Sequence, residues 1–278
     1  MQNIYILLPV HNRKTITLKF IDSLILQNFT NYHLILIDDG SDDGTDIAVR
    51  QKVANLTILR GNGNLWWAGA LQKGIDYLKN INIAGNDIIL FINDDTYMPT
   101  EFIKIGAETI SRRENIIVKA TLYSMINKQL INTGFNYIPD KLEFKPTNKY
   151  SKSNIANTNG LFIKWEDLLR IGDFKPKLLP HYLSDYEFTY RANQMGYCIF
   201  VEPSLMLYSN TETSGYRNYK GDSKKQFIKT YFTKKSVKNP LYWSIFIVLT
   251  SNRNNWIKLI SRVWMSSIKD ITQKTLYS

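Results

Sequence analysis

Residues 33–46 read HLILIDDGSDDGTD. Four apolar residues, Leu34 to Ile37, run into Asp38 and Asp39 and then into a loop of glycine, aspartate and threonine. A short apolar run without alternation reads as a strand covered on both faces, and the Asp and Thr residues behind it suit a helix cap. The same order of events recurs on either side. IYILLPV (4–10) is an apolar run that ends at a proline-containing turn, after which Ile16, Phe20, Leu24 and Gln27 recur at helical spacing over 14–27. LTILR (56–60) ends in GNGN and leads to a helix over 66–80; DIILFIND (87–94) leads to a helix that begins near Pro99. Repeated strand–helix units predict an α/β fold with a mostly parallel central sheet flanked by helices. Ligands of such sheets bind beyond the carboxyl ends of the strands, and PVHNR, DDGSDDGT, GNGNLWW and NDDT all fall there.

The second half is less regular. Residues 116–150 read as strands and hairpins, 165–171 as a short helix and about 184–195 as a longer one. At 278 residues, with 44% hydrophobic and 21% charged side chains, the chain suits one globular α/β domain with an appendage, not a disordered or fibrous chain. The charge locates the appendage. The formal net charge is +11, yet the first 216 residues hold 22 charges of each sign, and from Arg217 onward 13 basic residues face only Asp222 and Asp270. The expected organisation is therefore a domain over 1–215, with a regular half (1–115) and a less regular half (116–215), followed by a basic tail over 216–278.

In that tail Trp256, Ile257, Ile260, Val263, Trp264, Ser267 and Ile271 recur at helical spacing, with Arg253, Lys258, Arg262 and Lys269 mostly on the other faces. A basic amphipathic helix edged with tryptophan is the pattern of a segment lying on an anionic membrane. Docking on the main domain, or on a second copy as a homodimer, are the alternative uses of that face. No nucleic-acid motif accompanies the charge, so nucleic acid is not an expected partner. The apolar run LYWSIFIVLT (241–250) is about half of the roughly 20 residues a spanning helix needs. The N-terminus lacks the basic start and cleavage site of a signal peptide, which gives a cytoplasmic location as the expectation. The single cysteine, Cys198, excludes an internal disulfide and a multi-cysteine zinc site; it sits in the apolar stretch YCIFV as filler. His11, His33 and His181 show no ligand spacing.

The chemistry lies in two aspartate pairs. Asp94 and Asp95 follow a buried strand, where adjacent carboxylates repel unless a cation joins them; Mg²⁺ and Mn²⁺ bind through one or two carboxylates plus substrate phosphates. A cap of the helix near Pro99 is the structural alternative. Asp38 and Asp39 stand at another strand end, where a carboxylate accepts from an imide N–H or a ribose hydroxyl; a glycine turn into a capped helix is the alternative there. No GxGxxG follows the first strand and no GxxxxGK[ST] occurs anywhere, which sets aside dinucleotide dehydrogenases and P-loop enzymes.

With these pieces in order, the sequence resembles the family 2 glycosyltransferases of the GT-A fold, of the bacterial polysaccharide, rhamnosyltransferase-like type. LLPVHNR, LIDDGSDDGT, GNGNLWWAGA and FINDDT carry the likeness, over roughly residues 3–210. The resemblance implies that Pro9, His11, Asn12 and Arg13 line the nucleotide pocket, and that Asp38 or Asp39 binds the pyrimidine or its ribose. It implies further that Gly63, Asn64, Trp67 and Gly69 border the donor diphosphate and sugar, with either Trp66 or Trp67 left as core. Asn93, Asp94 and Asp95 match the DxD-type motif, with Asp95 as its metal-binding end for Mg²⁺ or Mn²⁺. HYLSDYEFTYRANQMGY (181–197) is similar to the family's acceptor-side helix, where an acidic residue stands six positions before an arginine. Counting back from Arg191 gives Asp185 as the catalytic base, with Ser184, Glu187 and Arg191 on the acceptor side. Ser184-x-x-Glu187 equally satisfies a capping box.

Two positions depart from the pattern. Ser184 stands where many relatives carry Glu, and VEPSLMLYSNTETSG (201–215) has no histidine for the metal, with Ser209 or Asn210 near its place. The implied function is inverting transfer of a sugar from a UDP- or dTDP-sugar to a hydroxyl of a glycan or lipid-linked glycan, at the inner face of the cell membrane. A sugar-1-phosphate nucleotidyltransferase needs a glycine-rich loop after the first strand, and PVHNRKT has no glycine. An inactive scaffold or binding subunit of a glycan assembly complex is the remaining alternative.

Overall fold

The computed structural model describes residues 2–147, 152–210 and 223–276. The first half follows the expected alternation: β1 (Ile4–Val10), α1 (Lys14–Ile25), β2 (Tyr32–Asp38), α2 (Thr45–Arg50), β3 (Leu56–Arg60), α3 (Trp66–Ile81), β4 (Ile88–Phe91), the two-residue β5 (Thr96–Tyr97) and α4 (Phe102–Ser111). The second half holds β6 (Ile116–Ser124), β7 (Leu130–Asn132), β8 (Phe135–Ile138), β9 (Glu143–Pro146), β10 (Lys152–Ser153), β11 (Leu161–Lys164), α5 (Trp165–Ile171), α6 (Ser184–Gln194) and β12 (Cys198–Ser209). Among the described residues of the tail there are three α-helices: α7 (Lys224–Tyr231), α8 (Pro240–Thr250) and α9 (Trp256–Leu276).

The main sheet runs β10-β12-β6-β11-β4-β1-β2-β3. Strands β4, β1, β2 and β3 are parallel neighbours, as are β6 and β12. Between these blocks lies β11, antiparallel to both β4 and β6. All four of its side chains are buried, so periodicity alone does not separate it from the helix that follows. Its direction follows from its entry. The turn at Gly160 donates to Phe91 O (2.9 Å) and accepts from Ala120 N (2.8 Å), so β11 starts where β4 ends. The residues before it, Asn157–Gly160, are thereby held at the same edge as the aspartate loops. Register aligns that edge: Val10 pairs with Asp38, and Asp38 with Arg60.

Helices cover both faces. On one, Ile4, Ile6 and Leu8 meet Phe20 and Leu24 of α1 and Phe102 and Ile103 of α4; on the other, Leu7, Ile35 and Ile37 meet Leu71 and Ile75 of α3 and Phe188 of α6. A third cluster joins the tail to the body. Phe246 of α8 is fully buried among Tyr137, Leu179, Leu183 and Tyr190, and Tyr137 Oη meets Thr250 Oγ1 at 3.1 Å.

Much of the apolar face of α9 is turned inward. Leu259 and Ser267 are buried, and the Trp264 indole donates to Ser244 Oγ of α8 (3.2 Å). Ile257, grouped with that face in the sequence, points the other way and is 83% exposed, with Met265 and Ile268 also exposed. Spacings of eight and three put these residues on one stripe, flanked on one side by the exposed Lys258, Arg262 and Lys269. No helix among the described residues is long and apolar enough to cross a membrane.

Candidate active site

At the end of β2 the two carboxylates part. Asp39 accepts from Gly63 N (2.8 Å) on one oxygen and from Leu65 N (2.8 Å) and Trp66 N (3.2 Å) on the other. It therefore serves the first turn of α3, whose N–H groups have no partner within the helix. The fastening needs glycines. A Cβ on Gly61 would stand 2.4 Å from Asp39 Oδ1, and one on Gly40 (φ +73°) would stand 2.8 Å from Gly63 N. Asp38 accepts from Ser41 N (2.8 Å) on Oδ1 only, and its buried Oδ2 has no partner. Of the two, Asp38 is the one with an oxygen left for a ligand.

The residues after β1 brace these loops. Pro9 pairs with Ile37 inside the sheet, the His11 ring meets Asp39 O (2.7 Å), and Asn12 donates to Ser41 Oγ and accepts from Asp42 N, each at 2.9 Å. Arg13 turns to the second aspartate pair. Its guanidinium stands 3.3 Å from Asp94 and 3.5 Å from Asp95, an internal cation between the two carboxylates.

Asp94 and Asp95 divide in the same manner. Asp94 accepts from Thr17 Oγ1 (2.9 Å) of α1, and burial pushes its carboxyl up to about 6 against the pull of Arg13. Asp95 is also raised, by burial first, and its Oδ1 is buried without a partner. Asn210 N donates to Asp95 O (2.9 Å), so the end of β12 does lie beside Asp95, with asparagine where a histidine ligand was expected. Among the described residues no three His, Cys, Asp or Glu side chains group as a metal site. The fit is nevertheless that of a hard cation: two partnerless oxygens, Asp95 Oδ1 and Asn93 Oδ1, remain for an ion whose other ligands come from phosphate and water.

Sequence reasoning missed the loop Asn157–Gly160, which ties the site together. Asn159 Oδ1 accepts from Asn93 N (3.2 Å) and Thr158 Oγ1 from the Trp67 indole (3.2 Å). Trp67 is the half-buried, core-packed member of its pair. Beneath lies Lys119, wholly buried, its ammonium donating to Asn159 O (2.5 Å) and Ala120 O (3.0 Å). Burial pulls that ammonium down to about 7, opposed by the Asp185 carboxylate. The signal was present as NTNG ahead of an apolar run, a turn composition, yet nothing in it names its partners.

Asp185 opens α6, which Thr189 fastens to the strand before the loop: Thr189 Oγ1 donates to Ala156 O (2.9 Å) and accepts from Ala156 N (3.0 Å). The Asp185 carboxyl, half-buried, accepts from Tyr186 N (2.9 Å). Burial pushes it up to about 6, against its N–H partners at Tyr186 and Thr158 and the Lys119 ammonium. The other acceptor-side candidates spend their polar atoms within the protein. Ser184 Oγ donates to His181 O (2.7 Å), and no capping box forms, since the residue before α6 is Leu183 at φ +69°. Glu187 is buried between Lys175 and Arg191, and Arg191 also donates to the carbonyls of Ile171, Gly172 and Asp173. These three fix α6 against the segment before it. Asn64 and Gly69 line a cleft on the far side of the α3 N-terminus.

Six buried side-chain atoms among the described residues lack a hydrogen-bond partner: Arg13 Nη2, Asp38 Oδ2, Asn93 Oδ1, Asp95 Oδ1, Asn157 Oδ1 and His181 Nδ1. Five lie at the carboxyl edge of the sheet, in the last residue of β2 or on the loops after β1 and β4 and before β11, and the sixth, His181, lies just ahead of α6. Unpaired buried polar atoms are costly, so their gathering at one edge marks where a polar ligand completes the structure.

A fold of this topology, with a partnerless carboxylate oxygen at the end of β2 and another in the turn after β4, defines an α/β protein of the GT-A kind. Residues 5–164, more than half of the chain, match the model of Glycosyl transferase family 2, and the protein belongs to that family. An uncharacterized glycosyltransferase of Haemophilus influenzae is 27% identical over 217 residues, covering 76% of this chain and 66% of the relative, just under two thirds of its length. AmsB, the amylovoran biosynthesis glycosyltransferase of Erwinia amylovora, is 21% identical over 295 residues, covering 91% of this chain and 93% of AmsB. The crystal structure of GalNAc-T7 with UDP, GalNAc and Mn²⁺ superimposes with a TM-score of 0.66 at 13% identity, over 88% of this chain and 47% of that one. That is a likeness of fold, and it agrees with the GT-A architecture expected from the sequence.

Proposed function

We propose that the protein transfers a sugar from a nucleoside-diphosphate sugar to a hydroxyl of a glycan or lipid-linked glycan, with inversion, in the synthesis of a cell-surface polysaccharide. The observation that carries this reading is the gathering of partnerless polar atoms around Asp38, Asn93–Asp95 and Asn157. Asp38 Oδ2 accepts from the base or ribose. Asp95, with Asn93, would hold Mg²⁺ or Mn²⁺, which when bound neutralises charge on the diphosphate. Asp185 takes the proton of the acceptor hydroxyl as its oxygen bonds to C1 of the sugar and the bond from C1 to the diphosphate oxygen breaks on the opposite face. A base raised to about 6 is ionised at neutral pH yet a better proton acceptor than an ordinary carboxylate. The chain's relation to AmsB supports the polysaccharide setting, and the exposed stripe of α9 supports peripheral contact with an anionic membrane.

The test is a screen of UDP-, dTDP- and GDP-sugars with Mn²⁺ or Mg²⁺, scoring nucleotide release by wild type and Asp95→Ala. Metal-dependent release from one donor, lost in the variant, is the expected result. Silence across the panel, with no calorimetric binding of UDP or dTDP, would favour a scaffold role.

A further inference from the structure

Trp66 opens α3 with φ +60°, a backbone conformation that glycine adopts freely and a bulky side chain does not. What the indole does there is visible around it. Its Nε1 donates to Asn64 Oδ1 (2.7 Å), the His181 ring meets it edge-on at 5.8 Å, and two ammonium groups of the tail, Lys234 and Lys235, stand 5.4 and 5.7 Å from its centroid. Neither lysine forms a salt bridge among the described residues; Lys234 reaches only Asn64 Oδ1, at 3.3 Å.

The ring and Lys234 line a cleft of about 500 Å³ between α3, the 176–180 segment and α8, to which Lys73 and Lys177 add two further cations. The one carboxylate among the described lining residues, Asp76, is engaged by Gln72 (2.8 Å). His181 Nδ1 is buried without a partner. Burial, with help from Lys235, pushes the ring down to about 4, so at neutral pH it offers a neutral nitrogen and not a third charge. The cleft belongs to the acceptor side: Ala68 N bonds Pro180 O, and only three residues of chain separate His181 from Asp185. An aromatic face beside unpaired cations is the chemistry that receives an apolar ring face and an anion together.

We propose that this cleft is an acceptor subsite for a phosphorylated sugar, its ring stacked on Trp66 and its phosphate held by Lys234 and Lys235. The proposal rests on the glycosyl-transfer reading and adds that the tail helps select the acceptor. A glycosyl diphosphate on a carrier and a phosphodiester within a polymer share this chemistry.

The experiment uses the full chain labelled with 5-fluorotryptophan and read by ¹⁹F NMR, the Trp66 line being assigned by its absence in Trp66→Gly. That variant is expected to keep or raise Tm, since glycine suits the backbone. Glucose 1-phosphate should move the Trp66 line with a midpoint about tenfold below those of glucose and of inorganic phosphate, and Lys234→Gln/Lys235→Gln should raise that midpoint about tenfold. A tighter midpoint for an alkyl glycosyl diphosphate than for a methyl glycosyl phosphodiester identifies the carrier-linked source, and the reverse identifies the polymer. An unmoved Trp66 line, equal midpoints for glucose and its phosphate, or displacement of glucose 1-phosphate by UDP would overturn the subsite. Turnover plays no part in this readout, so a silent donor screen alongside a Trp66 response would fault the transfer reading and leave the binding site standing.

Discussion

Replacing Asp185 with asparagine should cost activity and add stability. A carboxyl held near 6 in place of its ordinary 3.8 binds its proton about a hundredfold more tightly in the folded chain than in the unfolded one, a difference of at most about 3 kcal/mol. The side chain is only half-buried, so solvent screening reduces this to about 1–2 kcal/mol. The sign follows from linkage: a raised carboxyl contributes stability that is fully present below about pH 4 and lost as pH rises through 6. At pH 7.5 the ionised wild-type carboxylate bears that loss and asparagine does not. Urea denaturation followed by tryptophan fluorescence should find Asp185→Asn more stable by about 1–2 kcal/mol at pH 7.5, with the advantage shrinking below pH 6 and absent near pH 4. Turnover should fall by about 10²–10⁴-fold, the usual worth of a general base. Asp94, also pushed up to about 6, titrates in the same window, but its contribution is common to both proteins and cancels in the difference. A variant no more stable than wild type at pH 7.5, or one with undiminished turnover, would refute the assignment.

Asp38→Asn keeps the acceptor for Ser41 N and turns the free oxygen into a donor. Calorimetry should show nucleotide affinity reduced about tenfold or more, with little change in Tm. Arg13→Gln removes the cation standing between Asp94 and Asp95; titration at pH 8 without nucleotide, read by electron paramagnetic resonance, should find Mn²⁺ bound about tenfold more tightly, whereas weaker binding would mean that Arg13 only orders the loop. Phe246→Ala, at the centre of the contact between tail and body, should destabilise the protein by about 3–5 kcal/mol in urea; a smaller cost would mean the tail docks independently of that cluster. Replacing Ile257, Met265 and Ile268 together by serine should abolish flotation with anionic vesicles while leaving Tm within about a degree or two, since all three side chains are mostly exposed; persistent flotation would move the membrane contact elsewhere.

The fold of the first half was legible because each strand is a short run of buried apolar residues and each helix carries its own period. The exceptions have physical causes. β11 lacks any local mark of its direction, which is set by Gly160 bonding to strands about 40 and 70 residues earlier in the chain. The sequence reads the tail as one amphipathic helix whose apolar face suits lipid, the main domain or a second copy. Its period was real, but a period reports only that a face is covered, and here α8 covers it. The apolar stretch 241–250 gave no amphipathic signal because α8 is enclosed on several sides, between α6, the β8–β9 hairpin and α9.

The site was legible in its types of residue and not in their division of labour. Both aspartate pairs were visible, and in each the structure commits both oxygens of one carboxylate, Asp39 or Asp94, to the protein and leaves the other, Asp38 or Asp95, with one oxygen free. Successive side chains at the end of an extended strand point to opposite sides, so Asp38 and Asp39 meet different surroundings, whereas Asp94 and Asp95 lie in a turn and share Arg13 between them. Which member turns inward depends on what waits there. For Asp39 it is the first turn of α3, whose amides need an acceptor; for Asp94 it is Thr17 of α1, with Arg13 alongside. Those partners sit 24–27 and 77 residues away. The engaged member is what gives the free one its use, because it fixes the loop in which the free oxygen is held away from water and from every internal donor. Losing the engaged aspartate should therefore injure ligand binding as severely as losing the free one, but through loop order and stability, while losing the free one leaves the loop intact. Asp39→Asn and Asp38→Asn are the pair in which that difference can be read, the first lowering Tm and affinity together, the second lowering affinity alone.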